Sequence, residues 1–207
     1  MYGGMNVGVV IPARNEAEHL PTVLATIPSF VDKVVVVDDG STDGTGKLVG
    51  SAELVTLDGE GVGAAIDKGH QRLMEIFDGE FVSVIMAGDG QMDPDDMERL
   101  ISPVVNGNAH HVKGERIDRA GKMPIYRRFG TFLLSILTTF ACGQTIRDPQ
   151  CGYTATSSEV LRTWNWTVSW KGYGYPNWWL MRLSEVGWRI QHVPVKAIYS
   201  GQKSGIR

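Results

Sequence analysis

The sequence predicts an α/β domain in three layers, a mostly parallel central sheet with helices on its two faces, and three observations predict it. Apolar runs at 6–12 (NVGVVIP), 33–37 (KVVVV) and 81–86 (FVSVIM) are β-branched and short, as buried strands are. Stretches with apolar residues at helical spacing separate them, the alternation that makes right-handed βαβ units and a parallel sheet. The runs close on proline, glycine or carboxylate, so polar chemistry collects at the carboxyl edge, where open α/β sheets bind ligands.

Composition sets the outer bounds. The chain has 207 residues, 43% of them hydrophobic, and a formal charge of −3, which describes one domain with ample core and no basic surplus for nucleic acid. Its two cysteines, Cys142 and Cys151, can build neither a disulfide framework nor a four-ligand zinc site, and a reducing, cytoplasmic setting is the default. No leader pattern opens the chain, and no apolar run reaches the roughly 18 residues that span a bilayer. It stops abruptly after Lys203-Ser204-Gly205-Ile206-Arg207, which leaves room for a membrane-spanning continuation.

In chain order, Pro12 closes the first strand by withholding a backbone donor. Asn15 is expected to cap a helix through Leu20, Val23 and Leu24, with Arg14 and Glu16 at the sheet edge. The second strand ends in Asp38-Asp39-Gly40, and carboxylates that accept several hydrogen bonds suit the hydroxyls of a ribose and the edge of a base. Asp43 or Thr42 would cap a short helix through Leu48 and Val49. Gly61-Val62-Gly63 then opens a helix that runs through Leu73, Ile76 and Phe77 without the spacing of a P-loop. Just past the third strand, Asp89, Gln91 and Asp93 offer hard oxygen ligands for Mg²⁺ or Mn²⁺ on a substrate diphosphate; the alternative is that these acids only cap the helix begun by Pro94. That helix includes Met97, Leu100 and Ile101.

A further strand is expected around His110-His111-Val112, where neighbouring side chains face opposite ways and so do not share one ion. From Arg116 to Arg128 the chain is basic, and the apolar helical pattern 129–141 follows. The pair suits a membrane surface with anionic head groups, or else a core or dimer helix beside a solvated loop. Asp148, in a turn at 147–153, is catalytic or pins the turn. All six tryptophans fall between Trp164 and Trp188, for sugar stacking, for seating in a head-group layer, or for packing a subdomain. A last strand is expected at 190–198. The whole is Rossmann-like.

Taken together, VVIPARNEAEHL at 9–20, VVVVDDGSTDGT at 34–45, GVGAAIDKG at 61–69, GDGQMDP at 88–94 and DPQCGY at 148–153 closely resemble the family-two glycosyltransferases of the GT-A fold. Within them the chain is most similar to the polyprenyl-phosphate glycosyltransferases, the group that includes dolichol-phosphate mannose synthase. The resemblance implies one catalytic domain over 1–207, with a nucleotide-binding half at about 1–95 and an acceptor half at about 96–207. It implies that Pro12, Arg14, Asn15, Glu16, Asp38 and Asp39 hold the nucleoside of a UDP- or GDP-linked sugar, and that Asp89 and Gln91 bind Mg²⁺ or Mn²⁺. It assigns Lys68, Arg116, Arg127 and Arg128 to substrate phosphate and Ser204 to a terminal segment closing over pyrophosphate. Asp89 and Asp148 are its catalytic candidates. An enzyme of this kind works at the cytoplasmic face of a membrane, in peripheral contact with it, as a monomer or a homodimer. Three positions depart from the family pattern: Ala87 stands where a metal-binding aspartate is usual, Val62 where a lysine is usual, and Asn177 where many relatives carry an acid.

The expected chemistry is inversion at the anomeric carbon by in-line attack of an acceptor oxygen. A lipid phosphate needs little base, whereas a sugar hydroxyl requires one, with Asp148 or Asp93 as the candidates. The rival functions are a non-catalytic nucleotide-binding or membrane-docking module, favoured by Ala87 and Val62, and a nucleotidyltransferase, which would want a basic glycine-rich loop where residues 12–20 offer only Arg14.

Overall fold

The structure, a computed structural model, describes residues 1–116, 125–143 and 145–198, with 125–133 by backbone alone. Its elements are β1 (Asn6–Ala13), α1 (Leu20–Ala25), β2 (Lys33–Asp39), β3 (Glu53–Leu57), α2 (Val62–Ile76), β4 (Phe81–Ile85), α3 (Met97–Val105), β5 (His111–Arg116), α4 (Ile125–Cys142), β6 (Thr154–Ser157), α5 (Ser158–Thr163), α6 (Tyr175–Val186) and β7 (Ile190–Val195). One sheet runs β3-β2-β1-β4-β6-β5-β7. Among the described strands, only β6 is antiparallel to its neighbours.

The strand period of two builds both outer layers from the same strands. Val7, Val9 and Ile11 of β1, Val36 of β2 and Val82 and Val84 of β4 pack with Leu20 and Val23 of α1 and Leu100 and Ile101 of α3. The alternate residues Val10, Val35, Val37, Phe81 and Ile85 pack with Ala65, Ile66 and Leu73 of α2, Leu161 of α5 and Trp179 and Leu183 of α6. Strands covered on both faces read as continuous apolar runs, which is why these three are conspicuous in the sequence. Two glycines let α2 settle on β1: a Cβ on Gly8 would lie 2.7 Å from the Leu73 methyls, and one on Gly69 would overlap Val10.

Several expectations need correction. The helix after β1 is capped at His19, not Asn15, which sits in the left-handed region at φ 58° and serves a different purpose. The short helix through Leu48 and Val49 is a single 3₁₀ turn, Thr45–Lys47, because Leu48 is 41% exposed and has no layer to pack on. The last strand stops at Val195 rather than 198, and β2 continues through both aspartates to Asp39. Strands β3 and β6 carry no expectation from sequence. β3 is a half-exposed edge strand, its Glu53 paired with Arg72 of α2 at 2.5 Å, while β6 is four small residues paired only to distant strands.

The order reverses between β1, which leads outward to β2 and β3, and β4 on its other side. This topological switch point leaves a crevice beyond the carboxyl ends of the strands.

Candidate functional site

A cavity of about 250 Å³ lies at that crevice. Pro12 reaches it from β1, Ala87, Asp89 and Gln91 from the loop after β4, Arg116 from the end of β5 and Lys196 from the residue after β7.

The edge beside it is cross-braced. The left-handed Asn15 turns the chain so that its amide donates to Ser41 Oγ (2.9 Å) while its side-chain oxygen accepts from the Thr42 amide (2.9 Å). Glu16 N donates to Thr45 Oγ1 at 2.9 Å, and Ala17 N to Asp43 Oδ2 at 3.0 Å. Bonds from the Thr45 hydroxyl and the Ala17 amide hold the exposed Asp43 carboxyl below its ordinary value. Asp38 accepts from the Ser41 amide at 3.0 Å. Asp39, 4% exposed, takes the amides of Glu60 (2.7 Å) and Gly61 (2.8 Å) on its two oxygens, with Arg14 at 3.9 Å. Each carboxylate oxygen still has a lone pair for a ligand hydroxyl.

Across the crevice, burial pushes the Asp89 carboxyl up, against the lowering effect of the Gln91 amide it accepts at 3.0 Å. Glu16 is raised too, first by burial and then by the negative charge of Asp89. A cation at this wall would relieve both. Among the described residues, no group of three or more His, Cys, Asp or Glu is arranged to hold a metal. The donor set that is present, one carboxylate and one amide oxygen, fits an ion such as Mg²⁺ that completes its shell with substrate phosphate and water.

The other expected residues are distributed as follows. Asp93 accepts from the Asp95 amide at 3.1 Å, capping the 3₁₀ turn before α3, and lies 3.4 Å from Lys196 Nζ. Asp148, 2% exposed, is not among the cavity-lining residues; its two oxygens take Arg116 Nε at 2.7 Å and an Arg116 terminal nitrogen at 3.0 Å. This fork fixes the guanidinium at the mouth. Lys68 is exposed on α2 outside the cavity lining, so the structure does not bring it to the site, and its neighbour Asp67 is the inward residue, accepting the Tyr175 hydroxyl at 2.6 Å. The glycine-rich start of α2 is occupied by protein: Gly63 N donates to Lys171 O at 2.9 Å, and Cβ atoms at 61 or 63 would strike that segment. The side chains of Arg127 and Arg128, and all of Ser204, lie outside the described residues. Asn177 accepts from the Thr138 hydroxyl at 2.8 Å, joining α6 to α4.

Five of the tryptophans are packing, Trp188 among them, edge-on to His110 at 4.7 Å between ring centres. Trp179, 3% exposed, meets Trp164 at 4.4 Å, Trp166 at 6.2 Å and Trp178 at 6.3 Å between ring centres, with Tyr175 stacked on it at 5.9 Å. Of this region only Tyr173 lines the cavity as an exposed ring. Tyr173 belongs to the aromatic stretch that the sequence offers for sugar stacking, whereas sequence reasoning missed Lys196. The signal for Lys196 was available, since it directly follows a strand that runs parallel to β5 and so ends at the same edge.

The sequence model of the family described as glycosyl transferase family 2 matches residues 8–165. A UDP-N-acetylglucosamine-dolichyl-phosphate N-acetylglucosaminyltransferase of Methanococcus voltae is 28% identical over 93% of this chain and 85% of its own. An undecaprenyl-phosphate mannosyltransferase of Micrococcus luteus is 32% identical over 92% of this chain and 83% of its own. Among solved structures, glucosyl-3-phosphoglycerate synthase from Mycobacterium tuberculosis, in complex with Mn²⁺, uridine diphosphate and phosphoglyceric acid, superposes with a TM-score of 0.73 at 21% identity, over 97% of this chain and 72% of that one. The shared architecture is the GT-A fold.

Proposed function

This chain belongs to glycosyl transferase family 2, and we propose that it is an inverting enzyme that moves a sugar from a nucleotide-sugar to a polyprenyl phosphate. The names of the two curated relatives, both lipid-phosphate glycosyltransferases, support the acceptor class. The observation that carries it is that, among the described residues, Asp89 is the one carboxylate lining the cavity. A hydroxyl acceptor needs a base there besides the metal ligand. A phosphate monoester, with a second pKa of about 6, arrives already ionised.

In this reading the braced edge of Pro12, Arg14, Asn15, Glu16, Asp38 and Asp39 orients the nucleoside. Asp89 and Gln91 would hold Mg²⁺ or Mn²⁺, which would supply charge neutralisation for the departing diphosphate. Arg116, held by Asp148, gathers the acceptor phosphate with Arg127 and Arg128. A phosphate oxygen then attacks the anomeric carbon as the bond to the diphosphate breaks, and nucleoside diphosphate leaves. Asp148 acts through Arg116 and takes no proton.

Exposed Ile136, Leu137 and Phe140 on α4, the last at 91%, give the protein an apolar contact for the cytoplasmic face of a membrane, next to where its lipid substrate resides. No described helix is long and apolar enough to cross one. The test is transfer from UDP- and GDP-sugars to a short-chain prenyl phosphate with Mn²⁺. Label in the lipid phase that depends on wild-type enzyme is expected; donor binding without transfer to any prenyl phosphate would favour a non-catalytic module.

A further inference from the structure

The cavity has two described cations on its lining, and they are held differently. Arg116 is forked on the buried Asp148. Lys196 is tied by its backbone instead: its amide donates to Asp96 Oδ2 at 2.6 Å, the next residue bridges Met92, and Ile198 N donates to Gln91 O at 3.0 Å. The residue is thereby fixed beside the loop that carries Asp89 and Gln91. Its ammonium is free to move, being 57% exposed and only 3.4 Å from Asp93 Oδ2, the geometry of a weak, exchangeable surface pair. Asp93 is already a capping acceptor for the Asp95 amide, so it gives up little when the lysine leaves.

Among the described residues, the opposite side of the cavity carries no cation on its lining. Val62 stands at the start of α2, and the Gly63 amide is spent on Lys171 O. A diphosphate brought to Asp89 by a divalent ion would carry excess negative charge that no described helix-side cation of the lining meets.

From these facts we infer that Lys196 is a phosphate-binding residue of the transfer site, exchanging Asp93 for a phosphate oxygen of the substrate. The inference rests on the glycosyltransferase reading and extends it to a residue on the far wall. A lysine suits the task, because its ammonium is a point charge on a flexible stem that can follow a phosphate through the reaction. The phosphate is either that of the donor diphosphate or that of the lipid acceptor.

The test measures binding of UDP, GDP and the corresponding monophosphates with Mn²⁺, together with KM for donor sugar and for prenyl phosphate, on wild type, Lys196→Gln and Lys196→Arg. Loss of one charge-assisted contact predicts a weakening of about tenfold or more in Lys196→Gln, with Lys196→Arg within about threefold of wild type. If the donor supplies the phosphate, the nucleoside diphosphate weakens while the monophosphate holds within about twofold, and donor KM rises. If the acceptor supplies it, nucleotide binding is unchanged and the prenyl phosphate KM rises. Wild-type binding of a nucleoside diphosphate with Lys196→Gln unchanged in every one of these quantities overturns the role of Lys196 and leaves the glycosyltransferase reading standing. Failure of wild type to bind either diphosphate overturns that reading and this inference with it.

Discussion

Two regions beside the same crevice are built from different interactions. On the β1–β2 side, residues 14–17 and 38–45 are held by a mesh of side-chain-to-backbone bonds, among them Asn15 to Thr42, Glu16 to Thr45 and Ala17 to Asp43. On the α5–α6 side, the scaffold is aromatic: Trp164, Trp166, Trp178 and Tyr175 surround Trp179. The first is a polar edge suited to a polar ligand; the second is core that reaches the cavity through Tyr173 and Pro176. Stability and ligand binding should therefore respond differently to damage on each.

The largest loss is expected on the aromatic side. Trp179→Ala removes the centre of the cluster and should cost about 3–5 kcal/mol in urea unfolding, with binding lost only in step with folding. On the polar side, Asp39→Ala leaves the amides of Glu60 and Gly61 without their acceptor, for about 2–3 kcal/mol. There, nucleotide affinity should fall further than stability does; an affinity that simply tracks stability would erase the distinction between the regions.

The legibility of the fold follows the same division. Strands β1, β2 and β4 are readable because covered faces demand uninterrupted β-branched residues, and the acids are readable because Asp38 and Asp39 end β2 and Asp89 lies in the loop that follows β4. What bound them was not readable. Asn15 looks like a helix cap by local rules, and its real partner, Thr42, is brought near by β1–β2 pairing. Lys68 has the charge for a phosphate, yet one residue of helical rotation separates it from the inward Asp67. The tryptophans advertise function by composition, but whether a ring faces solvent or another ring is decided by how α5 and α6 pack on α2. The segments that carry Gln91 and Lys196 lie over a hundred residues apart in sequence, joined by a Met92–Ala197 bridge that no local pattern encodes.

His70 offers a smaller, pH-dependent probe of the aromatic side. It is 1% exposed, bonded to Ser83 Oγ at 2.9 Å and packed on Trp166 and Trp179, and burial pushes its pKa down to about 3 from 6.5. The unfolded chain therefore takes up the proton first as pH falls, so this stability is complete above about 6.5 and is lost toward 3. Between pH 7 and pH 5 the loss is about 2 kcal/mol, and the unfolding free energy of His70→Gln should lack that part of the slope. An identical slope in the variant would show that the ring is not the buried neutral group described.

The smallest effect is expected at Asn15. Alanine there loses the Thr42 bond and strains a left-handed residue for about 1–2 kcal/mol, and glycine, which keeps the backbone at ease, should recover part of it.

The central claim is that this crevice transfers sugar to a lipid phosphate with Asp89 as the cavity's metal-side carboxylate. Its most direct test is release of nucleoside diphosphate from a nucleotide-sugar in the presence of prenyl phosphate and Mn²⁺, for wild type, Asp89→Ala and Asp148→Asn. The account predicts acceptor-dependent release by wild type, a fall of at least about a hundredfold in Asp89→Ala, and residual turnover in Asp148→Asn whose prenyl phosphate KM is raised. Full activity in Asp89→Ala, or release that ignores the prenyl phosphate, would contradict it.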